Sequence, residues 1–396
     1  MAVVPADAPS MSVRLTGWRY PLAIGALSRI LTFVVVGAIG LVRRDPEQSV
    51  SSALLAPFGA WDGVWYQRIA DYGYDPTVAH GNGVAFSPLY PMLVRYVHAY
   101  LSLSYLAAGV LVSTVCFFVA MVVLYRVVED RSGTKIARRV VWLTAFFPAA
   151  YLFSSVYTES VYLLLTVSTF ALLERRRLIS SSLVGALAVL SRPTGILLVP
   201  SMGVRIWKDQ GRRFSWRFVL CLVPLLVLPL AYVAFGAYLY YRTGNPFATQ
   251  TAQAAGWGRG INVMLVLGLP IAVLNGLIVA THDLSRAMYI GDTLFAMTWG
   301  LLLLEGTIRR RLPSEYLLYG ALAVLLPVLA GTYLALPRYG MGIFVVMWLA
   351  AIHVAARPRL ERVLCGSRCR SRSSRRPWSH LASMRIRREP IGFGHV

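Results

Sequence analysis

Apolar runs of roughly 20 residues, the length an α-helix needs to cross a bilayer, recur along this chain, and the gaps between them are rich in arginine. They fall at 21–41, 105–128, 218–241, 291–304 with its flanks, and 316–332. No stretch between them is long enough to bury a separate soluble core. Of the 396 residues, 57% are hydrophobic and 14% charged, whereas about a quarter of a soluble domain is charged. The chain is therefore expected to be an all-α, polytopic membrane protein. The run at 21–41 is too long for a signal-peptide core and lacks a small-residue cleavage site. It is read as an uncleaved first helix behind a cytoplasmic N-terminus, residues 1–19.

The formal charge of +22 does not make nucleic acid a partner. The cations sit in the short gaps and in the tail, where the positive-inside rule places them, and anionic membrane lipids are their natural partners. Lys135 and Lys208 are the only lysines, an arginine preference that a GC-rich genome explains. Cys116 and Cys221 lie inside apolar runs, where a thiol packs as a small hydrophobe. Cys365 and Cys369 have only His380 nearby, too few ligands for zinc. No metal and no cofactor is expected.

Four basic clusters set the threading: Arg126 to Arg139, Arg175 to Arg177, Arg205 to Arg217, and Arg309 to Arg311. Placing all of them, both termini included, on the cytoplasmic side gives helices at 20–41, 105–128, 137–155, 159–173, 218–241, 288–306, 314–332 and 340–356. The run 179–206 makes two short crossings broken at Arg192-Pro193, because proline removes a helix donor and disfavours helix just before it. Residues 262–287 include an apolar stretch interrupted by Pro270 and Asn275, read as re-entrant or two-piece. The result is about 10–12 membrane segments, a membrane domain at 20–356, a large first external loop at 42–104, and an Arg-rich cytoplasmic tail at 357–396 whose low complexity implies disorder.

The external segments collect residues that no span requires. From Phe58 to Tyr74 the pattern predicts a short amphipathic helix ending at Gly73, with Trp61, Trp65, Tyr66 and Ile69 at three- and four-residue spacing. An interfacial helix anchored by aromatic rings accounts for these rings but not for Asp62, for which helix N-capping is the structural alternative. Arg95 and His98 could meet a phosphate or simply face water, and His80 sits in a glycine-rich turn. Ser155, Tyr157, Thr158 and Glu159 fall where one helix ends and the next begins, so capping and dipole effects explain Glu159 as well as chemistry does. Arg192, Arg259 beside Trp257, and Arg338 beside Tyr339 are lone external cations next to aromatic rings. Arginine forks suit phosphate, and aromatic planes suit sugars and isoprenoid chains. From the residues alone, these features indicate a membrane enzyme acting on a lipid phosphate on the non-cytoplasmic face.

In order along the chain stand Trp61-Asp62-xxx-Tyr66, Gly73-Tyr74, Ala85-Phe86-Ser87-Pro88-Leu89-Tyr90-Pro91, Phe147-Pro148, Ser155-Val156-Tyr157-Thr158-Glu159-Ser160 and Ser191-Arg192-Pro193-Thr194-Gly195. This series resembles the PIG-V-type mannosyltransferases, the family of GPI mannosyltransferase II, which has bacterial relatives. Trp257-Gly258-Arg259 and Pro337-Arg338-Tyr339 are similar to its later segments, and one departure is Phe86-Ser87, where the family carries paired phenylalanines. The resemblance covers about residues 20–355. It implies a GT-C-like multi-helix glycosyltransferase in the cell (inner) membrane with its site on the extracytoplasmic side. Such an enzyme moves mannose from a polyprenyl-phosphate donor, with inversion, to a lipid or glycan acceptor. Asp62 then falls on the expected base. Trp61, Tyr66, Tyr157, Glu159, Arg192, Trp257, Arg259, Arg338 and Tyr339 become substrate-binding candidates.

A transporter or flippase of a lipid-linked sugar is the alternative. It calls for charges at mid-membrane and for symmetry between halves, and no internal repeat is seen. A scaffold that docks through its basic tail is a third reading.

Overall fold

A computed structural model describes residues 15–75, 83–258, 260, 284–329 and 336–357. Residues 1–14, His80, Arg259, the 261–283 part of the segment read as re-entrant, and the tail beyond Arg357 lie outside the described residues. Helices follow one another as α1 (Arg19–Val42), α2 (Val50–Leu55), α3 (Asp62–Tyr72), α4 (Leu89–Leu101), α5 (Tyr105–Ala145), α6 (Glu159–Glu174), α7 (Leu178–Ser191) and α8 (Leu198–Asp209). They continue as α9 (Trp216–Leu222), α10 (Val227–Thr243), α11 (Ala248–Trp257), α12 (Leu284–Ile308), α13 (Ser314–Leu329), α14 (Leu336–Met341) and α15 (Phe344–Ala355). No strand occurs among the described residues, and the all-α expectation is met.

By length and composition, α1, α5 and the α9–α10 stretch Trp216–Thr243 can cross a membrane. On α1, Ile30 and Val34 are each 63% exposed, and on α10 Leu230 and Val233 are 61% and 62% exposed. Apolar surface this open faces lipid rather than water. The inner helices are shorter than the apolar runs implied. Residues 344–348 of α15 are at most 3% exposed, so protein surrounds this helix and bilayer thickness does not set its length. The sequence expectation of about 10–12 membrane segments did not separate inner helices from lipid-facing ones.

The helix assigned as α5 contains one residue with non-helical backbone, Gly133, at φ 78° and ψ 164°. Glycine adopts this conformation without a Cβ penalty. The chain folds back there, because Phe117 on the first arm and Ala145 at the end of the second both reach the Ser28–Arg29 level of α1. Two helical arms thus stand where two crossings were expected. The second arm stops at Ala145, ten residues before the expected end at 155, and Pro148 follows in an irregular turn before a 3-10 helix at Ala150–Phe153. A segment expected as one helix at 340–356 is instead two pieces, α14 and α15, separated at Gly342-Ile343.

Side-chain contacts sort the bundle into two ends. At one end Glu174 accepts hydrogen bonds from Arg131 and Tyr316, and Glu315 takes Lys208 at 2.6 Å and Arg205 at 3.5 Å. These contacts join α5, α6, α8 and α13 where the basic clusters lie. The opposite end carries the turn at 146–158, the Arg192-Pro193 break, α14, and helices α2 to α4. The break is held close: a Cβ on Gly195 would lie 2.5 Å from the backbone of Ala188 and Val189, so only glycine lets the turn pack onto α7.

Candidate active site

Two apolar clusters meet at that second end. One is the main bundle, with Tyr157 among its members; the other joins α3, α4, the start of α5 and α11, with Val156 among its members. The seam therefore runs between adjacent residues. Val156 N–H donates to the Phe58 carbonyl at 2.9 Å, and the Tyr157 hydroxyl donates to the Ala60 carbonyl at 3.1 Å. These bonds fix the turn before α6 against the turn before α3.

Asp62 opens α3 as its first helical residue, and its carboxylate does not cap the helix. Arg338 donates to its Oδ2 at 2.5 Å. The same guanidinium donates through Nε to Glu159 Oε1 at 2.5 Å, and Arg192 reaches that oxygen at 3.2 Å. Glu159 is fully buried, whereas the Asp62 side chain remains 22% exposed. Glu159 Oε2 is buried without a hydrogen-bond partner. Thr158, at the N-cap position of α6, makes no side-chain cap. The capping explanations for Asp62 and Glu159 give way to an ion-pair network that draws on four segments far apart in sequence.

Aromatic rings frame the charges. Arg338 lies 4.4 Å over the Tyr157 ring and 5.8 Å from Tyr339, while Arg192 lies 5.0 Å over Tyr339 and 5.6 Å over Tyr162. Burial opposes the charge on Arg338, but the Glu159 and Asp62 carboxylates outweigh it and hold its pKa well above the ordinary value. Burial likewise pushes the Tyr66 and Tyr157 phenols up, so both are neutral donors. Tyr66 sits beneath the site, edge-on to Phe86, Tyr90 and Tyr157.

Other candidate residues fall away from the carboxylates. Trp257 packs on Trp65 and Phe86, inside the α3–α11 cluster. Trp61 is 78% exposed and does not share the packed face formed by Tyr66 and Ile69. It precedes Asp62 with φ 58° and ψ −117°, a backbone costly for a bulky residue and often found at functional sites. Arg95 donates to the carbonyls of Ala70 and Asp71 at the end of α3. His98 bonds the Leu103 carbonyl and stacks on Tyr105 at 4.0 Å. Both hold the loop helices together. Reading by motif passes over Tyr162, which looks like one more ring in an apolar helix, and Arg29, a charge inside an otherwise apolar run.

Beside α3 lies a cavity of about 440 Å³, lined by Ile69, Tyr74, Pro91, Leu190, Phe235 and Tyr238 among others. None of Asp62, Glu159, Arg192 and Arg338 lines it; Ile69 lies two helical turns along α3 from Asp62, about 10 Å.

Arg338 is presented by α14, which packs on α12 through Gly340. A Cβ at Gly340 would fall inside the Trp299 ring. Gly340→Ala is expected to push α14 off α12, costing about 1–3 kcal/mol through overpacking. Because Arg338 rides on the same short helix, activity should fall about 100-fold, the scale of a 1 Å misplacement. Melting temperature and turnover per folded molecule check both effects.

Lipid-facing helices around a charged, aromatic-walled cluster at one end of the bundle define a membrane-embedded protein with a polar site at its rim. A family model described as mannosyltransferase (PIG-V) matches residues 45–260, so the chain belongs to the PIG-V mannosyltransferase family and is a membrane glycosyltransferase. Among solved structures, the Archaeoglobus fulgidus oligosaccharyltransferase, crystallised as a complex with Zn and sulfate, is similar at 15% identity and a TM-score of 0.41. That similarity covers 76% of this chain and 45% of the other, so this chain spans under half the length of that protein. No curated protein matches the sequence.

Proposed function

We propose that this enzyme transfers mannose from a polyprenyl-phosphate mannose donor to a hydroxyl of a lipid or glycan acceptor, with inversion, on the extracytoplasmic face of the cell (inner) membrane. The observation that carries the proposal is the Asp62–Arg338–Glu159–Arg192 network. It offers one partly exposed carboxylate and two cations framed by aromatic rings.

In this reading the acceptor O–H gives its proton to Asp62 as its oxygen bonds to the anomeric carbon. The bond from that carbon to the phosphate oxygen breaks, and the phosphodiester leaves as a polyprenyl monophosphate bearing one more negative charge. Arg338 and Arg192 stabilise that developing charge. Glu159 is fully buried with both arginines on one oxygen, which leaves Asp62 as the accessible carboxylate. A single accessible carboxylate suits one direct displacement, hence inversion.

The cavity beside α3 suits the isoprenoid chain. Its α10 wall belongs to a lipid-facing helix, and its α3 wall belongs to the helix that Asp62 opens. Trp61, Tyr66, Tyr157, Trp257, Arg259 and Tyr339 remain as proposed substrate contacts. The two ends of the bundle support the extracytoplasmic face: the site is at the end opposite Arg131, Arg205 and Lys208, cations that the positive-inside rule favours on the cytoplasmic side. Membranes containing the protein should move label from polyprenyl-phosphate mannose into an acceptor fraction, and membranes without it should not. Equal transfer by both would defeat the proposal, and transfer only from another lipid-linked sugar would change the donor sugar alone.

A further inference from the structure

Arg29 sits in the middle of α1, a helix long and apolar enough to cross the membrane, yet it is 3% exposed and turned into the protein. An arginine at this depth is expensive and is usually matched by a carboxylate. Among the described residues none pairs with it. Its partners are neutral: Nη1 donates to the Ala150 carbonyl at 2.8 Å and to Ser154 Oγ at 3.3 Å, and Nη2 donates to Ser28 Oγ at 3.0 Å. Ser28 in turn donates to the Ala145 carbonyl. The guanidinium lies 4.4 Å over the Phe117 ring, and Nε is buried without a partner.

These contacts converge on one stretch of chain. Residues 146–158 contain only a short 3-10 helix, Ala150–Phe153, between irregular turns, and 152–158 are buried, where polar groups without helical partners must be satisfied by protein groups. Arg29 and Ser28 supply donors at Ala145, Ala150 and Ser154, with Thr114 adding a bond to Ser154 Oγ at 3.0 Å. The far end of the same stretch bears Tyr157 and Glu159. It also bonds to Phe58 and Ala60, the residues just before Asp62.

We propose that Arg29 is a positioning residue for sugar transfer. It clamps the 150–154 segment from within α1 and thereby sets Tyr157 and Glu159, and through them Arg338, against Asp62. This inference rests on the function proposed above. Among the described residues its charge has no carboxylate to neutralise, so what it contributes is a rigid fork of donors aimed at several acceptors at once, which a single hydroxyl or amide cannot reproduce.

The test compares full-length wild type with Arg29→Met and Arg29→Lys in nanodiscs, using labelled polyprenyl-phosphate mannose and hydrogen–deuterium exchange. Arg29→Met should lower kcat at least about 30-fold per folded molecule with KM for the donor changed less than about threefold, because the donor's own contacts stay in place. Arg29→Lys should recover a substantial part of kcat. Exchange should rise at 146–160 and 56–63 in Arg29→Met and stay unchanged in α12 and α13. Unchanged exchange at 146–160 would overturn the clamp. So would a kcat loss that merely tracks loss of folded protein, or a rise in KM without a fall in kcat. If wild type fails with the donor, the proposed function falls, and the exchange pattern still decides whether Arg29 holds the segment.

Discussion

Asp62→Asn is expected to lower sugar transfer by about 10²–10⁴-fold, the range a positioned general base supplies, while the protein still folds and still binds donor. The substitution keeps the shape of the side chain and removes its proton affinity. Asp62 is partly exposed at the start of α3, and Glu159 still engages Arg338, so no fully buried charge is stranded. The measurement is transfer of labelled mannose in membranes, normalised to folded protein. Undiminished transfer by a folded Asp62→Asn enzyme would remove Asp62 as the base. The substitution also separates an enzyme from a flippase, because moving an intact lipid-linked sugar across the bilayer requires no proton acceptor at that position.

The second large effect is expected at Arg338. Replacing it with glutamine removes the cation that bridges Asp62 and Glu159, and Glu159 is fully buried. Breaking a buried ion pair from one side costs about 3–5 kcal/mol, because the remaining charge is left uncompensated. Arg192 still reaches Glu159 at 3.2 Å, which places the loss toward the lower end of that range. Transfer should fall by about 10²–10³-fold, the usual cost of removing one group that stabilises developing charge. The two effects separate in a double variant. Adding Glu159→Gln to Arg338→Gln should recover melting temperature without recovering transfer, because it neutralises the stranded carboxylate but supplies no partner for the leaving phosphate. Recovery of both together would mean that Arg338 is structural.

Gly340→Ala acts on the same arginine by a different route. It leaves the charge intact and moves the helix that carries it, since a Cβ there meets Trp299. Agreement between the Gly340 and Arg338 variants in transfer, with different losses of stability, would show that the placement of the guanidinium matters as well as its presence.

Much of this was legible in the sequence because it depends on local chemistry. Apolar run length and arginine gaps imply an all-helical membrane protein. Gly73 marks the end of α3, and it has φ 72° there. Pro193 breaks the run at 179–206 two residues after α7 stops at Ser191. The motif series picked out Asp62, Glu159, Arg192 and Arg338, and all four lie in one network.

Only the tertiary structure decided how those residues are used. Capping, a local effect, was a sound alternative for both Asp62 and Glu159, because sequence carries no information about an arginine 276 positions away. Trp61 and Trp257 looked equivalent as aromatic neighbours of charge, yet one is exposed beside Asp62 and the other packs on Trp65 and Phe86. Helix lengths diverged for a related reason: hydropathy measures transfer to lipid, and several inner helices are surrounded by protein instead. Arg29 shows the limit most clearly. Its charge within an apolar run is visible in the sequence, but its role depends on the Ala150 carbonyl and the Ser154 hydroxyl more than a hundred residues away, and long-range packing alone brings them together.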